Sequence, residues 1–351
     1  MAYTTIDDPS AHFTTTLYTG NASTNAITNS ANAGDFQPDW VWLKSRSSAT
    51  HHRLYDSSRG ALKNIISSAA NTEATTANSL TSFDSNGFTL GSDDNSNQNS
   101  KTFVGWQWKA NGGTTSSNSD GDITSTVQAN TTAGFSIVLF TGNATAGQTV
   151  GHGLGVKPEV IFAKNRSNGN NWNCYVEATD NTGDNTLTLN GTGAKSDSFN
   201  MWNDTAPTSS VITLGDRNET NGSSHNMVFY CFHSVKGYSK FGSYVGNGNA
   251  DGTFIYTGFK PAWFLAKRSV GGTSHWTMLD TTRNPFNLAE SYLHANETNV
   301  ENTNNQKADF LSNGIKLRST SRHNNSGSTF FYMAFAEHPF VSSGGVPVTA
   351  R

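Results

Sequence analysis

Phe36-Gln-Pro-Asp-Trp-Val-Trp-Leu-Lys-Ser-Arg46 returns later in the chain as Phe259-Lys-Pro-Ala-Trp-Phe-Leu-Ala-Lys-Arg268. A weaker form, Pro158-Glu-Val-Ile-Phe-Ala-Lys-Asn-Arg166, lies between them. In the first copy Trp40, Trp42, Lys44 and Arg46 alternate with Val41, Leu43 and Ser45. The segment therefore starts apolar on both faces and ends polar on one, which predicts a central strand covered on both sides.

Other landmarks keep the same order around this segment. Tyr18-Thr-Gly-Asn21, Phe140-Thr-Gly-Asn143 and Tyr244-Val-Gly-Asn247 precede it. Phe103-Val-Gly-Trp-Gln-Trp108, Met227-Val-Phe-Tyr-Cys-Phe232 and Phe330-Phe-Tyr-Met-Ala-Phe335 follow it. Two landmarks belong to the outer copies alone: Asp56-Ser-Ser-Arg59 with Asp280-Thr-Thr-Arg283, and Ser85-Asn-Gly87 with Ser312-Asn-Gly314. Pro38, Pro158 and Pro261 stand 120 and 103 residues apart, which is the size of a small domain and too long for a solenoid unit.

Composition agrees with an all-β chain of tandem antiparallel sandwich repeats, jelly-roll or lectin-like. Asn occurs 40 times and Gly 33 times, while 21 Phe, 10 Tyr and 8 Trp in strand-like blocks supply core material that a disordered chain would lack. The expected organisation is an N-terminal arm 1–12, a first repeat 13–110, a flexible linker 111–133, a second repeat 134–236, a third 237–340 and a tail 341–351. Repeats two and three, joined with little slack, are expected to pack as a rigid pair. Helix is expected only near 59–68 and 287–295. The Asn-Gly steps predict hairpin turns with positive φ.

Net charge is −3 and the basic residues do not cluster, which argues against nucleic acid as a partner. No apolar run is long enough for a membrane-spanning helix. Cys174 and Cys231 lie in aromatic strand-like runs, either as inert core thiols or as a disulfide.

The sequence contains no metalloprotease, nucleophile-elbow, phosphate-loop or Cys-x-x-Cys motif, so no catalytic residue, cofactor or metal is expected. Gly151-His-Gly-Leu-Gly155 precedes a strand and reads as a turn. Asp93-Asp-Asn-Ser-Asn97 lacks the closing glutamate of a calcium loop. Trp106, Trp108, Trp172, Trp202 and Trp276 form either core or a sugar-stacking platform. The most conspicuous polar residues are Lys44, Arg46, Lys164, Arg166, Lys267 and Arg268. They are expected either to pair with Asp56 and Asp280 of their own copy or to face a ligand, with Lys44, Arg46 and Lys267 meeting carboxylates or backbone carbonyls of their own copy or a neighbouring one.

Met1-Ala-Tyr-Thr-Thr-Ile-Asp-Asp-Pro-Ser10, Leu17-Tyr-Thr-Gly-Asn21, Lys236-Gly-Tyr-Ser-Lys-Phe-Gly-Ser-Tyr244 and Met333-Ala-Phe-Ala-Glu-His-Pro-Phe340 together resemble a known family. It comprises virion proteins of tailed bacteriophages, especially marine and cyanobacterial ones, with repeated domains of unknown function. The resemblance spans essentially the whole chain. It implies a virion component, assembled in the host cytoplasm, and the expected role is a tail appendage, fibre or adhesion component. Its implied partners are other virion proteins, further copies in a trimer or ring, and a host surface glycan or protein receptor. A capsid decoration protein and a glycan-binding or glycan-degrading surface protein are the alternatives. The chain lacks the heptads and collagen-like triplets of a fibre shaft.

Overall fold

The computed structural model describes residues 3–29 and 35–347. Within them the chain is all-β, with 41% strand and 5% helix. Each proline-led segment forms a strand, Trp40–Ser45, Val160–Asn165 and Phe259–Val270, paired on one side with the closing strand of its copy. In the first copy the order across the sheet is Phe13–Thr19, Thr102–Trp108, Trp40–Ser45, Arg53–Asp56. The third copy repeats it as Ser239–Val245, Thr329–Pro339, Phe259–Val270, Thr277–Asp280 and adds Leu293–His294. In the second, Phe135–Thr141, Asn226–Phe232, Val160–Asn165 and Asn173–Val176 stand in the same order, with further strands on both edges.

The registers coincide. Trp40 pairs with Trp108, Val160 with Phe232 and Trp263 with Phe335, which puts Pro38, Pro158 and Pro261 in one place. The same arithmetic makes Lys44, Lys164 and Lys267 equivalent. Arg46 and Arg166, however, match Ser269, while Arg268 takes the position of Ser45 and Asn165.

The double-faced apolar pattern has a direct cause. Trp40 and Trp42 point to a core shared by all three copies, together with Trp106, Trp108, Phe162, Tyr230, Phe232, Trp263 and Phe335. Val41 and Leu43 point the other way, into a local core against the small sheet Asn25–Thr28, Gly87–Leu90, Leu80–Asp84. The second and third copies have local cores of their own around Ile161 and Phe264. A copy thus has its own core, as its length implies, but buries its other face only against its neighbours. At the centre Phe335 lies 5.7 Å from Trp108 and 6.1 Å from Phe232 between ring centroids. All three copies, and not only the second and third, form one body.

Several local expectations are corrected. No helix forms at 59–68 or 287–295, because Ile65 exchanges both backbone hydrogen bonds with Leu54 and extends the sheet, as Leu293–His294 does in the third copy. The short α-helices are Asp94–Asn97, Phe199–Trp202 and Asn218–Asn221. The stretch 111–133 carries the strands Ser116–Asn118 and Ser125–Asn130, which lie in the second copy's sheet. Its glycine-rich start is fastened by Asp39, whose carboxylate accepts the N–H groups of Ala110, Gly112 and Gly113 at 2.7–2.9 Å.

The Asn-Gly hairpins turn on Ser85-Asn86 and Ser312-Asn313, none of which has positive φ. Of the two glycines only Gly87 has positive φ, 152°, and both are needed for close approach as well: a Cβ would stand 2.0 Å from the Ile27 carbonyl oxygen and 2.2 Å from that of Ile255. Cys174 and Cys231 are free, buried thiols. Arm residues 3–12 fold back on the junction of the second and third copies, where Tyr3 Oη donates to the Gly258 carbonyl at 2.6 Å and Thr4 Oγ1 to that of Lys236 at 2.8 Å. Asp7 accepts the Ser343 N–H of the tail at 2.6 Å. Residues 1–2 of the arm and 348–351 of the tail lie outside the described residues.

Candidate functional site

The residues singled out in the sequence meet at the boundaries between copies, which run head to tail and close a ring. His52 of the first copy, Trp172 of the second and Trp276 of the third are equivalent by register. Each reaches a backbone carbonyl of the next copy round: His294 at 3.0 Å, Ile66 at 2.7 Å and Thr188 at 3.0 Å. Those three acceptors are equivalent too, since 65, 187 and 293 share one pairing position. First copy therefore grips third, second grips first, and third grips second. A heterologous contact that closes after three steps is ring symmetry, here within a single chain.

Each of the equivalent lysines is buried and holds carbonyl oxygens. Lys44 Nζ donates to Ser45 at 2.6 Å and Ser48 at 3.2 Å. Lys164 donates to Asn170 and, in the first copy, to Ala70 at 3.3 Å. Lys267 donates to Ser274 at 2.7 Å and, in the second copy, to Thr192 at 2.8 Å. Burial pushes Lys44 and Lys164 down to about 8 and Lys267 to about 7.

The arginines cross between copies through two glutamates. Arg46 makes a bidentate pair with Glu301 of the third copy, at 2.7 and 3.0 Å, and Glu301 also accepts from Arg283 at 3.0 Å. Arg166 pairs the same way with Glu73 of the first copy, at 2.8 and 3.0 Å, and Glu73 accepts from Arg59 at 3.0 Å. Asp56 and Asp280 do not pair with the lysines. They bind Arg59 and Arg283 within the Asp-x-x-Arg turn and accept from the copy on their other side, Asp56 from Tyr230 Oη at 2.6 Å and Asp280 from Trp106 Nε1 at 3.1 Å.

The third boundary is built differently. Lys195 stands where Glu73 and Glu301 stand. Its N–H donates to the Ser269 carbonyl at 3.0 Å, as theirs do to Arg166 and Arg46, and its Nζ donates to the Thr179 carbonyl at 2.7 Å. Val176 and Met333 replace the Asp and its aromatic donor. The missing Asp-x-x-Arg tetrad of the middle copy was the sequence's sign of this change. Nothing in the local sequence marked Glu73, Glu301 or Lys195.

Beside this boundary lies a cavity of about 510 Å³ lined by residues of the third copy with Thr192 of the second. His275 and His294 form its floor, stacked at 4.6 Å. On their far side Glu297 takes His294 Nδ1 at 2.7 Å and His275 Nδ1 at 3.2 Å. The hydrogen bond from His294, together with nearby imidazole charge, holds Glu297 below the usual carboxylate range against the effect of burial. The ligand atoms of these three residues lie within 4.8 Å of one another, so they are the group of described residues able to hold a metal. Their protein partners already engage them: Gln306 meets His294 Nε2 at 2.7 Å and Asn296 meets His275 Nδ1 at 3.0 Å.

Arg268 opens onto the same cavity, stacked 5.6 Å from Phe330. Trp106, Trp108, Trp172, Trp202 and Trp276 are all buried and are core, not platform.

A family model described as a domain of unknown function, DUF7483, matches residues 8–339, and the chain belongs to that family. No curated protein matches the chain. No solved structure matches it either.

Proposed function

We propose that this protein is a structural component of a tailed-phage virion, acting as a tail appendage or adhesion module in host attachment. The observation that carries the reading is the closed ring. The buried polar side chains that the repeat brings together hold one copy to the next, as in a rigid building block. The family resemblance in Met1–Ser10, Lys236–Tyr244 and Met333–Phe340 supplies the virion context. Its partners in this reading are neighbouring virion proteins and further copies of the chain, with a host surface glycan or receptor at its exposed loops. No helix among the described residues is long and apolar enough to cross a membrane.

The test is to locate the chain on purified particles by immunogold labelling, with mass spectrometry of the same particles. Label on the tail supports the reading. Label on the head moves the protein to capsid decoration, and absence from the particles overturns the virion role.

A further inference from the structure

We infer that the cavity at the boundary of the second and third copies is a binding site for a carboxylate-bearing sugar unit, gripped by Arg268 and Arg322. The attachment reading supplies only the source of that ligand, a host surface glycan; the binding chemistry stands on the site itself.

Charge is balanced unevenly around the ring. At the other two boundaries every guanidinium has a carboxylate: Arg46 and Arg283 have Glu301, Arg59 and Arg166 have Glu73. At the third, Lys195 replaces the glutamate, and the cavity beside it is lined by two arginines with no aspartate or glutamate; of its three histidines, His275 and His294 already meet Glu297.

Arg268 is underused. Its Nε has no partner, and its terminal nitrogens reach the carbonyls of Gly271 and Arg322 only at 3.4 and 3.5 Å. The second of these contacts sets its guanidinium against the backbone of Arg322, which lines the cavity and whose side chain has neither ion pair nor hydrogen bond among the described residues. Two arginines lining one cavity, with no acid among its lining residues, are suited to an oxyanion.

The remaining lining suits a sugar. Thr192, Ser274, Ser321 and Asn325 offer hydroxyl and amide groups, and the volume falls within the roughly 300–1,000 Å³ of small-molecule sites. Internal symmetry adds a comparison. Where the third copy has Arg268, Arg322 and His294, the equivalent places hold Ser45, Asn95 and Ile66 in the first and Asn165, Glu219 and Thr188 in the second. The shared fold therefore does not require these basic groups; the third copy alone gathers them.

The experiment is calorimetric titration of the whole chain with glucuronate, glucose, acetate and inorganic phosphate, at low and high salt. Expected is saturable binding of glucuronate, weakened by salt, with glucose and acetate much weaker. Arg322→Ser on the exposed loop and Arg268→Gln should each weaken glucuronate about tenfold or more, with the melting temperature of Arg322→Ser unchanged. No glucuronate binding, or equal binding by glucose, or unchanged affinity in Arg322→Ser, overturns the site. Equal binding of phosphate or acetate overturns the sugar-carboxylate assignment in favour of a general anion hole. Particles that lack the protein, with glucuronate still bound by the pure chain, would refute the virion reading and leave this inference standing; the reverse pair of results would refute the site alone.

Discussion

Arg46 and Glu301 are 255 positions apart in sequence and form a bidentate ion pair at 2.7 and 3.0 Å, fastening the first copy to the third. Glu73 and Arg166 make the same pair between the first copy and the second, 93 positions apart. The two pairs place the first copy between its neighbours, and Lys267, Trp276 and Lys195 close the remaining side.

Glu301→Ala leaves the fully buried Arg283 and the partly buried Arg46 without a shared acceptor. Breaking a buried pair from one side typically costs about 3–5 kcal/mol. Urea unfolding should show a loss of about that size, and a loss below about 1 kcal/mol would mean that the boundary does not depend on the triad.

Acid should loosen the ring. Burial alone would raise Glu73 and Glu301, but the hydrogen bonds of Arg166 and Arg46 and the charges of Arg59 and Arg283 outweigh it and hold both below their ordinary value of 4.5. With folded values depressed, the unfolded chain binds more protons, so this stabilisation is complete above pH 4.5 and is lost as pH falls through the folded values. Melting temperature followed from pH 6 downward should fall in that window, and less steeply in a Glu73→Gln, Glu301→Gln double variant. An identical slope in both proteins would contradict the assignment.

Lys267 acts in the same direction but in a higher pH window. Burial brings it from 10.5 to about 7, so between these values the unfolded chain holds a proton that the folded chain has released, and stability should rise with pH. Lys267→Met should remove that rise. It should also cost about 1–3 kcal/mol at neutral pH by leaving the Thr192 and Ser274 carbonyls unpaired. A variant with an unchanged pH profile would show that Lys267 keeps its proton.

Ring closure predicts that the copies stay together without a continuous chain. A specific protease site inserted between Thr114 and Thr115, both exposed, should allow cutting without dissociation. Size-exclusion chromatography of the cut protein under native conditions should give one peak at the intact position. Separation into the first copy and the remainder would show that the boundaries are too weak to hold a ring.

Much of the site was visible in the sequence as residue type but not as partnership. Lys44, Arg46, Lys164, Arg166 and Lys267 stood out because an apolar strand ends in them. The partners are not Asp56 and Asp280 but backbone carbonyls for the lysines and Glu301 and Glu73 of another copy for Arg46 and Arg166, because which copy lies alongside is set by packing and not by the local sequence. The aromatic pattern of Trp40 to Leu43 announced burial on both faces without saying that one face belongs to a different copy. Arg268 looked like the counterpart of Arg46 because Lys267 precedes it. The register gives that place to Ser269 and turns Arg268 toward the cavity instead.

What the sequence determined by itself was local. Strand identity follows from alternation along a few residues, glycine at 87 and 314 answers to close backbone approach within one copy, and the repeated landmarks set three similar sheets. The ring, the exchange of Glu73 and Glu301 for Lys195 and the cavity beside it were decided only by tertiary structure. Each depends on which face of one copy meets which edge of another, and burial of the shared aromatic core selects that meeting among groups tens to hundreds of residues apart.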